Sequence, residues 1–248
     1  NSSNVIVQKR KYGQGHSVVH IYQKDLAKLE FELPSFSEQK EMTKSDYVII
    51  CGDFGGVWDG SNEEKYWIKW LKSKNFTTLF IDGNHENFDA ISQIEKVEKW
   101  NGARAGILPH GIVHLLRGEI YTIGNRTVGV CGGANSIDKA WRTPGVSWWA
   151  QEEITDKDVE IFLLNLNEKY GEGVKKLDLM LSHDCPASIV SAVAVWSGIN
   201  GVNIDKSEEQ LETIKKLLEV DKWYFGHWHI NRRIDETFEC LYEDIKEI

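Results

Sequence analysis

The chain predicts an α/β protein whose polar chemistry collects along one edge of its sheets. Three observations carry that prediction. First, four short apolar runs each break off into polar residues: Tyr47-Val48-Ile49-Ile50-Cys51 into Gly52-Asp53, Leu79-Phe80-Ile81 into Asp82-Gly83-Asn84-His85-Glu86, the run 177–181 into Ser182-His183-Asp184, and Trp223-Tyr224-Phe225 into Gly226-His227-Trp228-His229. Such runs are the pattern of buried strands, and the polar residues after them lie in the loop at the carboxyl end. Open α/β sheets hold their ligands there. Second, residues 63–74 place Trp67, Ile68 and Leu71 on one helical face between the first two strands, which completes a right-handed β-α-β unit. Third, the same strand ending recurs four times, whereas a single histidine after a strand would mean nothing.

The remaining elements are read in chain order. Residues 1–40 form an atypical segment in which 5–7 and 17–22 predict strands, 9–15 a turn, 25–31 a short helix, and 34–37, with Pro34, a break. The glycine-rich stretch 54–62 is an edge loop, and 87–99 predicts a helix. Residues 112–116, 119–123 and 127–131 alternate as strands, with Gly118 and Gly124-Asn125 as hairpin turns. The stretch 132–149 is a long loop, and loops of that length inside compact domains are usually functional. Residues 156–170 predict an amphipathic helix capped by Thr155. A helix over 207–218 begins at Ser207 with Glu208 and Glu209 in its first turn. Strands are expected around Trp223, Arg233 and Phe238. No repeat or linker interrupts the 248 residues, so one domain over 1–248 is expected.

Composition narrows the class of function. At 41% hydrophobic and 27% charged, the chain is ordinary for a globular protein. Its formal charge of −9 argues against a general nucleic-acid or anionic-membrane surface. It allows a small phosphorylated substrate, because bound metal supplies positive charge locally. The four cysteines show no CxxC spacing, and Cys51 and Cys131 close apolar runs, the pattern of buried free thiols. The sequence carries no signal-peptide pattern or long apolar span, which fits the cytoplasm.

Asp53, Asn84, His183, His227 and His229 supply the carboxylate oxygen, amide oxygen and imidazole nitrogen that bind Mn²⁺, Fe²⁺ or Zn²⁺. On one extended segment, His227 and His229 would point the same way. Asp53 could bridge two metals, since each oxygen can take one, and a pair roughly 3.5–4 Å apart clamps the entering and leaving oxygens of a phosphoryl displacement. His85, beside Asn84, is the candidate for protonating a leaving group.

In this order, Gly52-Asp53, Gly83-Asn84-His85-Glu86, Ser182-His183 and Gly226-His227-Trp228-His229 resemble the calcineurin-like metallophosphoesterase superfamily. The resemblance implies a four-layer αββα sandwich of two mixed β-sheets with a dinuclear metal site at the strand ends. It further implies that Asp53 bridges the metals, Asn84, His183 and His227 complete one, His229 binds the other, and His85 is the acid. The implied activity is hydrolysis of a phosphomonoester or phosphodiester by a metal-activated water. The stretch 132–139 resembles small bacterial members of that family, which suggests a bacterial or phage origin. One motif is missing: the family opens with Asp-x-His, and none precedes Asp53. Gln23-Lys24-Asp25 stands in its place, Gln23 being a poor ligand and Asp25 a partial substitute. His16 and His20, four residues apart, are the other candidates.

Plainer roles are expected elsewhere. Asp59 before Gly60 suits a turn better than a role orienting His85. His110 and His114 read as structural. Arg142 could hold a substrate phosphate bidentately, although an exposed loop arginine is the simpler reading. Trp148-Trp149 suits core or pocket wall, and Arg232-Arg233 a solvated strand end. No G-x-G-x-x-G follows a strand, so a Rossmann-type nucleotide site is excluded. Two functions of different class remain: a metal-dependent phosphoesterase, and a metal-binding or regulatory module of the same fold with weakened catalysis.

Overall fold

The computed structural model describes residues 3–6, 19–23, 36–171 and 175–247. Their strands form two mixed sheets. The first is ordered β1-β14-β2-β3-β4-β7-β6-β5, from β1 (Ser3–Ile6), β14 (Ile245–Glu247), β2 (Val19–Gln23), β3 (Tyr47–Cys51), β4 (Thr77–Ile81), β7 (Val113–Leu115), β6 (Ala103–Ile107) and β5 (Glu95–Lys99). The second is ordered β12-β13-β11-β10-β9-β8, from β12 (Arg232–Arg233), β13 (Phe238–Cys240), β11 (Leu218–Phe225), β10 (Lys175–Ser182), β9 (Arg126–Cys131) and β8 (Ile120–Ile123). In the first sheet β2, β3, β4 and β7 run parallel, while β6 and β5 are antiparallel. In the second β9, β10, β11 and β13 run parallel between antiparallel β8 and β12. The α-helices among the described residues are α1 (Asn62–Lys72), α2 (Phe88–Ser92), α3 (Asp156–Tyr170), α4 (Ala187–Ser197) and α5 (Lys206–Lys215).

Alternation along the strands builds the layers. Ile49, Cys51, Leu79 and Ile81 face Val128, Val130, Leu179 and Leu181 of the other sheet in a shared core. The residues between them, Val48, Ile50 and Phe80, face outward onto Ile68 and Leu71 of α1. On the far side, Met180, Trp223 and Phe225 pack against Phe162, Val190 and Leu211 of α3, α4 and α5. The result is helix, sheet, sheet, helix. Strands covered on both faces must be apolar throughout, which is why the motif-bearing strands read as unbroken apolar runs. Capping fixes the helix starts: Ser61 accepts from the Glu64 amide at 3.1 Å, and Thr155 and Asp158 form a capping box. All four cysteines are buried and free. Among the described residues, no helix is long and apolar enough to cross a membrane.

Several local expectations need correction. The predicted helix over 87–99 is only α2; residues 95–99 are β5, paired antiparallel with β6 along its whole length. Glu-Lys-Val-Glu-Lys has helical propensity, but pairing with β6 overrides it. Gly124-Asn125 is a hairpin turn with both residues at positive φ, whereas Gly118 is not: it carries the chain from β7 in one sheet to β8 in the other. The last predicted helix begins at Lys206, and its cap is Asp205, which accepts from Glu208 N at 3.0 Å; Ser207 lies inside. Helix α4 and strands β6 and β14 went unread. Near the amino terminus, the strands predicted at 5–7 and 17–22 correspond to β1 and β2, while the predicted turn 9–15 and helix 25–31 lie outside the described residues, with His16 and Asp25. At the far sheet edge, Lys169 of α3 donates to the Ile120 carbonyl of β8 at 3.1 Å.

One buried ion pair ties the end of β4 to the loop after β9. Arg117 donates through Nε to Asp82, and through Nη1 and Nη2 to the Glu153 and Glu152 carbonyls, both at 3.1 Å. His114, stacked on Phe80, reaches the other Asp82 oxygen at 3.1 Å. Burial alone would raise the Asp82 carboxyl, but Arg117 and His114 hold it well below the usual carboxylate range. Its contribution to stability is therefore complete above the unfolded value of ~3.9 and is lost as pH falls below it. Asp82→Asn leaves the buried Arg117 charge with only the more distant Asp158 carboxylate, 4.0 Å away, and should cost about 3–5 kcal/mol in urea unfolding at neutral pH. The difference from wild type should shrink at acid pH.

Candidate metal centre

The candidate residues meet where the carboxyl ends of both sheets face each other. Asp53 follows β3 in the left-handed region, at φ 50°. Its Oδ1 accepts the His85 amide at 2.9 Å. Burial would raise this carboxyl, but His183 and His85 draw it below the ordinary range, so it is ionised. Two glycines allow the approach. A Cβ on Gly83 would overlap the Asp53 backbone nitrogen and Oδ1, and one on Gly52 would overlap the His183 ring. Gly52 also sits at φ 90°, which only glycine adopts readily. Glu86 braces the same two loops: its oxygens accept the Phe54 amide at 2.7 Å and the Gly55 amide at 3.2 Å. Burial and the Asp53 charge push Glu86 up to about 8, against the pull of those amides.

His183 comes from the other sheet and is fully buried. Its Nδ1 donates to the Cys51 carbonyl at 2.9 Å, which leaves Nε2 bare in the neutral ring. Burial lowers the His183 pKa and favours that neutral form. Nε2 faces Asn84 Oδ1 at 3.1 Å and Asp53 Oδ1 at 3.4 Å. The Asn84 amide is held in this sense because its Nδ2 donates to Ser136 Oγ at 2.8 Å. Three acceptor atoms thus converge on one position. This donor set fits a divalent ion.

His227 and His229 approach from β11. Their spacing suggested alternation along a strand, but β11 ends at Phe225 and both histidines are left-handed, at φ 63° and 56°. The Trp228 amide bonds back to the Gly226 carbonyl at 2.7 Å. A turn, not an extended segment, aims the two imidazoles. The His227 and His183 rings lie 5.2 Å apart, and His229 stacks on Tyr242 at 5.0 Å. Non-glycine residues at positive φ are costly and cluster at functional sites; Asp53, His227 and His229 are three of them here.

His85 lies in the mouth of the site. Its Nε2 accepts from Arg142 Nη2 at 3.1 Å, and the same nitrogen of Arg142 donates to Asp138 at 2.8 Å. Burial and, after the opposing pull of Asp53, the Arg142 charge lower the His85 pKa. Arg142, expected to be an exposed loop residue, is instead drawn in against the histidine. Asp53, Asn84, His85, Arg142, His227 and His229 line one cleft of about 820 Å³. Asp59 is an exposed turn residue that accepts the Ser61 amide. His110 is exposed at φ 72° and Trp149 is buried on Asp89, as structural residues. Gln23 ends β2 and His20 lies within it, opposite Glu247 of β14, while His16 and Asp25 lie outside the described residues.

Sequence reasoning missed Ser136, Glu152 and the acidic wall of the cleft. Asp184, Asp205 and Glu208 each bring one carboxylate oxygen within 4.8 Å of the others, a group that could hold a metal. Asp205 and Glu208 are also each other's capping partners. No local pattern marks these contacts. Gly83→Ala, which forces the β3 and β4 loops apart, should cost about 1–3 kcal/mol by thermal or urea unfolding.

No curated protein sequence matches the chain. A model of the calcineurin-like phosphoesterase family matches residues 19–231, from β2 to just short of β12. That span takes in the central strands of both sheets and every residue of the cleft just described. Members of this family are typically dependent on divalent metal, and the converging acceptors of Asp53, Asn84 and His183 suit that requirement. The chain belongs to the calcineurin-like phosphoesterase family.

Proposed function

We propose that the protein is a metal-dependent phosphoesterase hydrolysing a small phosphomonoester or phosphodiester, with Asp53, Asn84, His183, His227 and His229 as metal ligands. The observation carrying this reading is the meeting of His183 Nε2, Asn84 Oδ1 and Asp53 Oδ1 at one point from three strand ends. Manganese is the first expectation, with iron or zinc as alternatives, one or two ions per chain. When bound, the ions supply Lewis acidity and an activated water for attack at phosphorus.

The chain's own residues supply orientation and the proton. Arg142 is placed to take a phosphate oxygen bidentately. In the ligand-free contact His85 Nε2 accepts from Arg142 and carries no proton. A phosphate anion would draw the guanidinium away and, by its charge, favour protonation of the freed ring. His85 is then the acid for the departing alkoxide. No general nucleic-acid surface and no membrane enter this reading, given the −9 charge.

A second reading rests on one specific observation, the absence of Asp-x-His before Asp53. A module with one filled site near His183 and a weak one near His229 would bind metal but turn over slowly. Hydrolysis of p-nitrophenyl phosphate and its bis ester under saturating Mn²⁺ separates the two: turnover is expected, and none on either ester leaves the binding module. His85→Asn should lower kcat on alkyl phosphoesters by ~10²–10⁴-fold with metal affinity nearly intact. The loss should be much smaller on p-nitrophenyl esters, whose leaving group needs little protonation. Equal losses on both would reject the acid role.

A further inference from the structure

Between Asn84 and the loop after β9 lies a buried chain of hydrogen bonds with a fixed direction. Asn84 Nδ2 donates to Ser136 Oγ at 2.8 Å, and Ser136 Oγ donates its single hydrogen to Glu152 Oε2 at 2.9 Å. The other Glu152 oxygen accepts the Ser136 amide at 2.6 Å. Both carboxylate oxygens are therefore acceptors, as an ionised group requires. Burial raises this carboxyl, and the two Ser136 donors oppose that rise. Glu152, Ser136 and Asn84 are 0%, 1% and 4% exposed, so water does not stand in for any of them. The backbone of Glu152 is held as well: its carbonyl accepts from Arg117 Nη2 and from the Ala134 amide, both at 3.1 Å. Arg117 is in turn anchored to Asp82, two residues before Asn84. The chain of bonds leaves the end of β4 at Asn84 and returns to it at Asp82.

An amide side chain has two ends of opposite character and nearly equal shape. Nothing steric decides which end faces His183; the hydrogen-bond partners decide. Because Glu152 can only accept, the Ser136 hydrogen points to it, and Ser136 can then only accept from Asn84. That leaves Nδ2 toward Ser136 and Oδ1 toward the metal position. We propose that Glu152 and Ser136 are positioning residues that set the polarity of Asn84, so that an oxygen and not an NH₂ group is offered to the metal. The inference rests on the metal-centre reading and assigns a role to the loop 132–152 within it.

Glu152→Gln tests this with almost no change in shape. The introduced glutamine keeps an oxygen for the Ser136 amide and turns its NH₂ toward Ser136 Oγ. The serine hydrogen is then redirected to Asn84, whose amide flips and presents Nδ2 to the metal position. Titration calorimetry with Mn²⁺ should show affinity reduced by roughly 10–100-fold, the cost of losing a partner that orients a ligand. The thermal midpoint without metal should stay close to wild type. Ser136→Ala, which leaves the amide unoriented instead of reversed, should lose less, and it carries the test if Glu152→Gln does not fold. Repeating Glu152→Gln in an Asn84→Asp background supplies the readout that packing alone would not move. A carboxylate has two oxygens and no polarity to set, so there the substitution should have little effect. Unchanged Mn²⁺ affinity in folded Glu152→Gln, or an equal loss in both backgrounds, would overturn the proposal. A wild-type chain that binds no Mn²⁺ would instead overturn the metal-centre reading and this inference with it.

Discussion

The hydrogen bond from His183 Nδ1 to the Cys51 carbonyl, 2.9 Å long, joins two strand ends that belong to different sheets. Cys51 ends β3, and His183 comes directly after β10. The bond fixes the separation at which the two ligand-bearing edges face each other. It also fixes the tautomer, so that the remaining ring nitrogen points at Asp53 and Asn84. The Gly226 amide continues the connection by donating to the His183 carbonyl at 2.9 Å, which brings the His227 turn alongside. The central core of Ile49, Leu79, Val130 and Leu181 holds the sheets face to face, but apolar contact is non-directional and could tolerate a small slide. The imidazole–carbonyl bond is directional and could not. Gly52 and Gly83 are consequences of the same constraint, since the ring and the Asp53 backbone occupy the space their side chains would need.

The part of this arrangement that was legible in the sequence is the part encoded locally. Strands buried on both faces announce themselves as apolar runs, and the residue after each run falls at the sheet edge whatever the rest of the chain does. That suffices to pick out Asp53, Asn84, His227 and His229, which line one cleft, and His183, whose ring lies buried against Asp53 and Asn84. What was illegible depends on partners distant in sequence. Residues 95–99 look helical until β6 pairs with them, and Gly118 looks like a hairpin until β7 and β8 prove to belong to different sheets. Ser136 and Glu152 act on Asn84 from 52 and 68 positions away, a relation no window of sequence contains. His227 and His229 do line the same cleft, but a left-handed turn and not strand alternation puts them there.

Polar groups under this site are organised as braces, each closing on a loop that carries a candidate ligand. Glu86 gathers the amides of 54 and 55, Asp82 gathers Arg117 and His114, and Glu152 gathers both polar atoms of Ser136. Asp82 and Glu152 end their chains of bonds as pure acceptors, whereas Glu86, pushed up to about 8, holds its two amides largely as a neutral carboxyl. A group that can only accept imposes direction on every donor connected to it, and a site built from loops needs that direction more than it needs rigidity of any one loop. Close to the opening the organisation differs. His85, Arg142 and Asp138 are linked by bonds that a charged ligand could exchange for its own.

The edges of the two sheets have a consequence for how this chain meets other copies of itself. A sheet that ends in open backbone invites another strand to add to it, and two sheets of this size would offer several such invitations. The first sheet ends in β5, where Glu95, Lys96, Glu98 and Lys99 alternate in sign around a single valine. A second copy laid against that edge would set charges opposite one another only in selected registers. The second sheet ends on one side in β12, two exposed arginines long, too short and too cationic to template anything. On its other side β8 is apolar, and there Lys169 crosses from α3 to occupy the Ile120 carbonyl. Protection against fibre-like association is thus distributed over three unlike devices. A chain that gathers its ligands at strand ends can keep those ends open to small molecules while these three strand sides stay closed to its own kind.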